Sequence, residues 1–300
     1  MKNFNLMTLV ALLCVSALCG CGGSEKGDKP TANAETELEG VETSVIDLPV
    51  EKRLELAKKY EYMGRFDDGL AVVELNGKYG FIDNSGQEVI PCVYDGVGLF
   101  FDGLAIVELN GKYGFIDKSG KEVIPCVYDD AGSFSDGLAL VKMNGKLGFI
   151  DNRGKEVIPC VYDLAWGFFD GLARVRLNGK YGFIDKSGKE VIPCVYDDAE
   201  SFSDGLARVR LNGKYSFIDK SGKFVIPCVY DDTWGFSDCL AGVELNGKWG
   251  FIDKAGKQLV PCVYDNVYAT AVDILVGTVE GSDGKETKYY YDKNGDFLGN

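Results

Sequence analysis

An all-β fold built from tandem meanders is predicted by three features of this 300-residue sequence. Asn-Gly-Lys recurs at Asn76, Asn110, Asn144, Asn178, Asn212 and Asn246, always 34 residues apart and without insertion. Six of the eight prolines (Pro91, Pro125, Pro159, Pro193, Pro227, Pro261) and six of the ten cysteines (Cys92, Cys126, Cys160, Cys194, Cys228, Cys262) keep the same step. Within each copy, apolar residues alternate with polar ones between turn-forming clusters, the pattern of short strands. A fixed period of this kind marks repeat architectures, in which neighbouring units bury each other's faces.

The copy from Leu104 to Gly137 shows how each element arises. Leu104 to Leu109 places Ala105, Val107 and Leu109 on one face and Leu104, Ile106 and Glu108 on the other, predicting a strand covered mainly on one side. Asn110-Gly111 suits the positive φ angles of a two-residue type I′ hairpin. Lys112 to Ile116 is the return strand, and Asp117-Lys118-Ser119-Gly120 a second turn in which the aspartate bonds nearby amides. Lys121 to Cys126 is a third strand, β-branched at Val123 and Ile124, predicted to end or lie at an edge at Pro125, which lacks an N–H. Tyr128-Asp129 leads through a variable stretch to Phe134 and Asp136-Gly137, and any fourth strand must come from this stretch.

Both ends hold partial copies. Tyr60 to Gly69 is in register with Tyr94 to Gly103, while Ile274 to Val279, Lys288 to Asp292 and Asp296 to Leu298 resemble three strands of a seventh copy with an insertion around Ser282 to Glu286. Together the fragments sum to one unit. The fold class is therefore all-β, with tandem three-to-four-stranded β-meander repeats. Two arrangements fit: a closed seven-unit β-propeller-like ring, or an open twisted β-repeat array with atypical end repeats as caps. The 34-residue period is short beside the roughly 40 to 45 residues of a WD-type blade.

The N-terminus reads as an export signal over residues 1–20: Lys2, an apolar stretch from Leu6 to Leu18, then Leu18-Cys19-Gly20-Cys21. That last string resembles a bacterial lipobox, which implies cleavage before Cys21 and lipidation of Cys21. Residues 21–48 are polar, acidic and nearly free of aromatics, as expected of a disordered tether, and residues 49–300 form the repeat domain, with six full copies from about 70 to 268.

A net charge of -14 argues against affinity for nucleic acid. With no histidine, Ser-His and Cys-His pairs, imidazole metal ligands and imidazole proton relays are all excluded. The expectation is a non-enzymatic protein without cofactor or metal. A carboxylate-only glycosidase is the enzymatic alternative, but the acids recur identically in every copy and no pair stands out. Asp83, Asp117, Asp151, Asp185, Asp219 and Asp253 read as turn residues.

The string GKWGFIDKAGKQLVP from Gly247 to Pro261, with its counterparts GKYGFID at Gly77, Gly111 and Gly179, resembles the WG-repeat family of bacterial surface and exported proteins. The resemblance spans residues 60 to 268. Only Trp249-Gly250 has the literal dipeptide; Tyr or Leu replaces the Trp elsewhere, and Ser216 replaces the Gly once. The family implies no catalytic residues.

Where near-identical copies differ, function is to be sought. On the first strand the outward pair is Val72/Glu74, Ile106/Glu108, Leu140/Lys142, Arg174/Arg176, Arg208/Arg210 and Gly242/Glu244. Arg174, Arg176, Arg208 and Arg210 would form a carboxylate, sulfate or phosphate site, or else a solvated face paired with glutamates. The second variable stretch includes Leu99-Phe100-Phe101, Trp166-Gly167-Phe168-Phe169 and Trp234-Gly235-Phe236. These rings, Trp166 and Trp234 foremost, either form a rim for a protein, peptide or glycan partner or pack beneath the loops as core. The repeat cysteines read as buried free thiols. Cys239 stands where five other copies have glycine and would be strained if those glycines have positive φ. The functional expectation is a membrane-anchored binding or scaffolding protein of the bacterial outer membrane or cell surface, facing periplasm or exterior. A purely structural envelope protein is the alternative.

Overall fold

The computed structural model describes residues 48–300. The export segment, Cys21 and nearly all of the tether lie outside them. Sheet 1 contains β1 (Tyr62–Met63), β2 (Leu70–Leu75), β3 (Lys78–Asp83) and β4 (Glu88–Tyr94), paired antiparallel in chain order. Six more four-stranded meanders follow: sheets 2 (96–128), 3 (130–162), 4 (164–196), 5 (198–230), 6 (232–264) and 7 (266–299). The stretch after Tyr-Asp supplies the first strand of each sheet. One sheet therefore runs from Tyr-Asp to the next Tyr rather than from Leu to Asp-Gly.

The turn chemistry sets the register. Asn76 and Gly77 have φ of 54° and 69°, as a type I′ hairpin needs, and fix the pairing Leu75↔Lys78 through Leu70↔Asp83. In the next turn Asp83 Oδ1 accepts hydrogen bonds from the Ser85 amide at 2.8 Å, its hydroxyl at 2.6 Å and the Gln87 amide at 3.0 Å. The strand that carries proline does not end there. It continues to Tyr94 and to Tyr128 in sheets 1 and 2, because it is the edge strand and the missing N–H breaks no ladder bond. Two register shifts, between Tyr79↔Tyr94, Phe81↔Ile90 and Ile82↔Glu88, bring the bulged proline segment over Gly80.

The core lies between sheets. Leu70, Phe81 and Ile90 of sheet 1 pack against Ala105, Val107 and Ile116 of sheet 2, and Leu104, Phe115 and Ile124 of sheet 2 against Phe134, Ala139 and Val141 of sheet 3. The inner strands of sheets 2 to 6 are thus covered on both faces, not mainly on one, since each of these sheets has a neighbour on either side. A phenylalanine pair spans five successive interfaces: Phe81–Phe100, Phe115–Phe134, Phe149–Phe168, Phe183–Phe202 and Phe217–Phe236, with centroids 4.6 to 5.1 Å apart. Each such pair contributes about 0.5–1.5 kcal/mol beyond burial.

Of the two arrangements, the structure has the open array. In a ring, Ala71, Val73 and Ile82 would meet sheet 7. They are covered instead by a helix, α1 (Val50–Lys59), through Leu56, with Tyr60 just after it. The repeat pattern contains no signal for this helix. Glu51 in its first turn and Lys58 and Lys59 in its last suit the helix dipole, but Leu56 is its one buried residue. A Cβ on Gly86 would meet Leu56 Cδ1 at 2.9 Å, whereas one on Gly120 would meet Ile90 Cγ1 at 3.1 Å. Leu56 therefore fills the place that an isoleucine of the preceding sheet fills elsewhere. Lys59 and Tyr60 both reach Glu88, at 3.5 and 3.2 Å.

Sheet 7 is complete in itself, its first strand (Asn266–Ala269) preceding the three expected ones. Tyr290 and Gly299 take the ladder positions of Phe251 and Val260, so a partly exposed tyrosine and a glycine replace the two apolar knobs that other sheets offer a following neighbour. An atypical end repeat of this kind closes an array.

Candidate binding face

Cross-strand partners share a face, so Leu164, Arg176 and Tyr181 line up on sheet 4, Asp198, Arg210 and Tyr215 on sheet 5, and Asp232, Glu244 and Trp249 on sheet 6. This is the face turned toward the following sheet. Its inner half holds the phenylalanine and isoleucine knobs, and its outer margin holds the residues that vary between copies. The four arginines stand on this margin, half-buried rather than fully outward.

Two of them cross to the next sheet. Arg174 Nη1 donates to the Ala199 carbonyl, and Arg208 Nη1 to the Thr233 carbonyl at 2.6 Å. Arg208 also pairs with Glu200 at 2.6 Å. Burial pulls the Arg174 guanidinium below its ordinary pKa, against the opposing influence of Tyr181, Asp198 and Glu200. Arg174 stacks on Trp166 with 3.6 Å from Cζ to the ring centroid, and Tyr181 lies 5.8 Å away. Arg176 and Arg210 instead lean on the rings of Tyr181 and Tyr215, at 5.4 and 5.8 Å. Among the described residues neither has a carboxylate within salt-bridge distance, and the buried Nε of each, like that of Arg174, has no hydrogen-bond partner. The glutamate-paired reading fits Arg208 and does not fit these two.

The aromatic stretches divide between core and surface. Phe134 and Phe202 are buried, and Phe100, Phe168 and Phe236 pack into interfaces. Leu99, Phe101 and Phe169 are exposed, and Trp234 is 43% exposed. Trp234 stacks on Trp249, centroids 4.9 Å apart and planes 26° apart, directly over Gly242, where a Cβ would lie 2.6 Å from the indole. The structure thus joins Trp166 to the arginines and gives Trp234 a different partner. Trp249 and Glu200 join this margin without having been expected there, and Gly242, one of the varied outward positions, proves to be the seat of Trp234. The signal was present in the 34-residue columns, where Trp166, Glu200 and Trp234 are equivalent, as are Arg174, Arg208 and Gly242.

The repeat cysteines, like Cys239, are free. Burial raises their thiol pKa values, that of Cys194 to about 11, which makes them poor nucleophiles.

Seven stacked four-stranded meanders, uniform in the core and varied along one margin, define a tandem β-repeat protein. The chain belongs to the WG-containing-repeat family, which matches it in seven consecutive segments, 54–79, 79–113, 113–146, 148–181, 181–215, 215–249 and 249–270. No curated protein matches the sequence. Among solved structures, the chain is similar to a eukaryotic initiation factor (12% identity, TM-score 0.39, covering 80% of this chain and 77% of the other). It is also similar to Kluyveromyces lactis Hsv2 (7% identity, TM-score 0.35, 75% and 95%) and to the AfRom2 CNH domain (9% identity, TM-score 0.32, 78% and 94%).

Proposed function

We propose that this chain is a non-enzymatic binding or scaffolding protein, tethered to the bacterial envelope by a lipid on Cys21, whose contact surface is the varied margin of sheets 4 to 6. One observation carries the reading. The core positions repeat almost unchanged through six copies, while this margin alone gathers four of the seven arginines and all three tryptophans. Uniform scaffolding accounts for the core and not for this concentration. The recurring turn aspartates support a role without catalysis. Asp83, Asp117, Asp185 and Asp219 spend their carboxylates on the serine and amide groups of their own turns.

The test is a pull-down from envelope extract using the full chain, with retained protein and retained uronate and hexose both assayed. The variant is Arg176→Ser with Arg210→Ser, because Arg174 and Arg208 also stitch sheets together and their loss would disturb the fold. Material retained by the parent and lost by the variant is the expected result. An identical retained set would overturn the binding margin and leave the structural-protein reading. In cells, Cys21→Ser is expected to move the protein from the membrane to the soluble fraction.

A further inference from the structure

The margin of sheets 4 to 6 combines two chemistries that point to a ligand class. The first is a pair of guanidiniums that form no salt bridge among the described residues, although Arg210 lies near enough to Asp197 to help hold that carboxyl below its ordinary pKa. Arg176 and Arg210 occupy equivalent positions one sheet apart, each is backed by a tyrosine ring, and each has a buried Nε without an acceptor. A planar donor fork held in this way is preorganised for a carboxylate or sulfate. Sheets packed face to face lie about 10 Å apart, so the pair suits a ligand whose acidic groups recur along its length.

The second is a flat apolar platform. Trp234 rests on Trp249 and is seated over Gly242, the one copy whose residue at that position leaves room for it. Trp234 is nearly half exposed, and an exposed indole suits the C–H face of a pyranose ring. We propose that this margin binds an acidic glycan, with carboxylate or sulfate groups of successive units on Arg176 and Arg210 and a sugar ring stacked on Trp234. The inference rests on the binding reading above.

Two further observations favour a glycan over an acidic peptide. A peptide that adds to a sheet needs a long open edge; sheet 4 offers one of six residues, Leu164–Phe169, but the first strands of sheets 5 and 6, which carry the rest of the margin, are only two residues each, Asp198–Ala199 and Asp232–Thr233. The opposite edge carries proline in both, Pro227 and Pro261.

The experiment titrates the full chain with polygalacturonate, dextran sulfate, neutral dextran and polyglutamate. Because Trp166, Trp234 and Trp249 all lie on the margin, intrinsic fluorescence reports its occupancy, and calorimetry measures the variants. Saturable binding of polygalacturonate or dextran sulfate is expected, and the comparison of the two identifies the acid group. Neutral dextran should not bind. Arg176→Gln with Arg210→Gln should weaken the affinity by roughly tenfold or more, the scale of charge-assisted hydrogen bonds, and so should Trp234→Ala, each with an unchanged far-ultraviolet spectrum. Polyglutamate binding as tightly, indifferent to Trp234→Ala, would overturn the proposal in favour of a peptide site. Equal binding of neutral dextran would overturn the role of the acid groups. Absence of binding to all four would overturn the glycan, and the envelope pull-down then shows independently whether the margin binds anything.

Discussion

At the scale of single residues, the glycine of the Trp-Gly dipeptide is a steric requirement rather than a conformational one. A Cβ on Gly148 would lie 2.5 Å from the Ile158 carbonyl oxygen and 2.7 Å from the Cys160 amide, because the bulged proline strand passes directly over it. Ser216 departs from the pattern and is fully buried, but its hydroxyl donates to the Ile226 carbonyl at 2.5 Å, so the extra atoms gain a partner. Cys239 is a departure of the other kind. Its equivalents Gly69, Gly103, Gly137, Gly171 and Gly205 have φ of 79° to 85°, and Cys239 is held at 67°. The left-handed conformation penalises a side chain by about 1–2 kcal/mol. Cys239→Gly is therefore expected to raise stability by about 1 kcal/mol, measured as a higher urea midpoint at constant slope. A lower midpoint would show that the thiol makes a compensating contact. The strain was legible in the sequence as a break in a glycine column. The crowding at Gly148 was not, since it depends on a bulge that no local pattern announces.

At the scale of elements, α1 does for sheet 1 what each sheet does for the next. Its apolar anchor is a single buried leucine, and its polar remainder gave no sign in the sequence of packing against anything. Leu56→Asp is expected to uncover Ala71, Val73 and Ile82. In a stack where units contact only their neighbours, the loss propagates weakly. Amide hydrogen exchange should accelerate in sheet 1 while sheets 4 to 6 keep their protection. Uniform acceleration through all seven sheets would mean that the array unfolds as one unit and that the cap is not local.

At the scale of the whole molecule, titration of the repeated groups sets the pH range of stability. Hydrogen bonds from Ser85, Ser119, Ser187 and Ser221 hold Asp83, Asp117, Asp185 and Asp219 below the ordinary carboxylate value. Lysine partners do the same for the tyrosine-following aspartates, Lys112 with Asp129 at 2.6 Å and Lys248 with Asp265 at 2.5 Å among them. Groups with depressed folded-state values contribute stability that is present above the unfolded value, about 3.9, and lost as pH falls through the folded one. Burial raises the repeat thiols and tyrosines such as Tyr128 and Tyr196. Their contribution is present below the unfolded thiol value of about 8.5 and is lost as pH rises through the folded values. With no histidine to titrate between these limits, the urea midpoint is expected to stay level from about pH 5 to pH 8 and to fall on either side. A slope within that interval would contradict this assignment.

What the sequence by itself determined is what local chemistry decides. The 34-residue period, the Asn-Gly and Asp-x-x-Gly turns, the strands between them and the seven-unit count all depend on residues a few positions apart, and all are present in the structure. The family resemblance rested on the same short strings. What the tertiary structure alone decided concerns which surfaces meet. It made the array open by placing Leu56 where a preceding sheet's isoleucine would stand. It sent one ring of each aromatic stretch inward and left its neighbour exposed. It also tied Arg174 and Arg208 to the adjacent sheet while leaving Arg176 and Arg210 without a salt bridge among the described residues. Alternation along a strand assigns a residue to one of two faces, but the burial and partners of that face follow from the neighbour stacked against it.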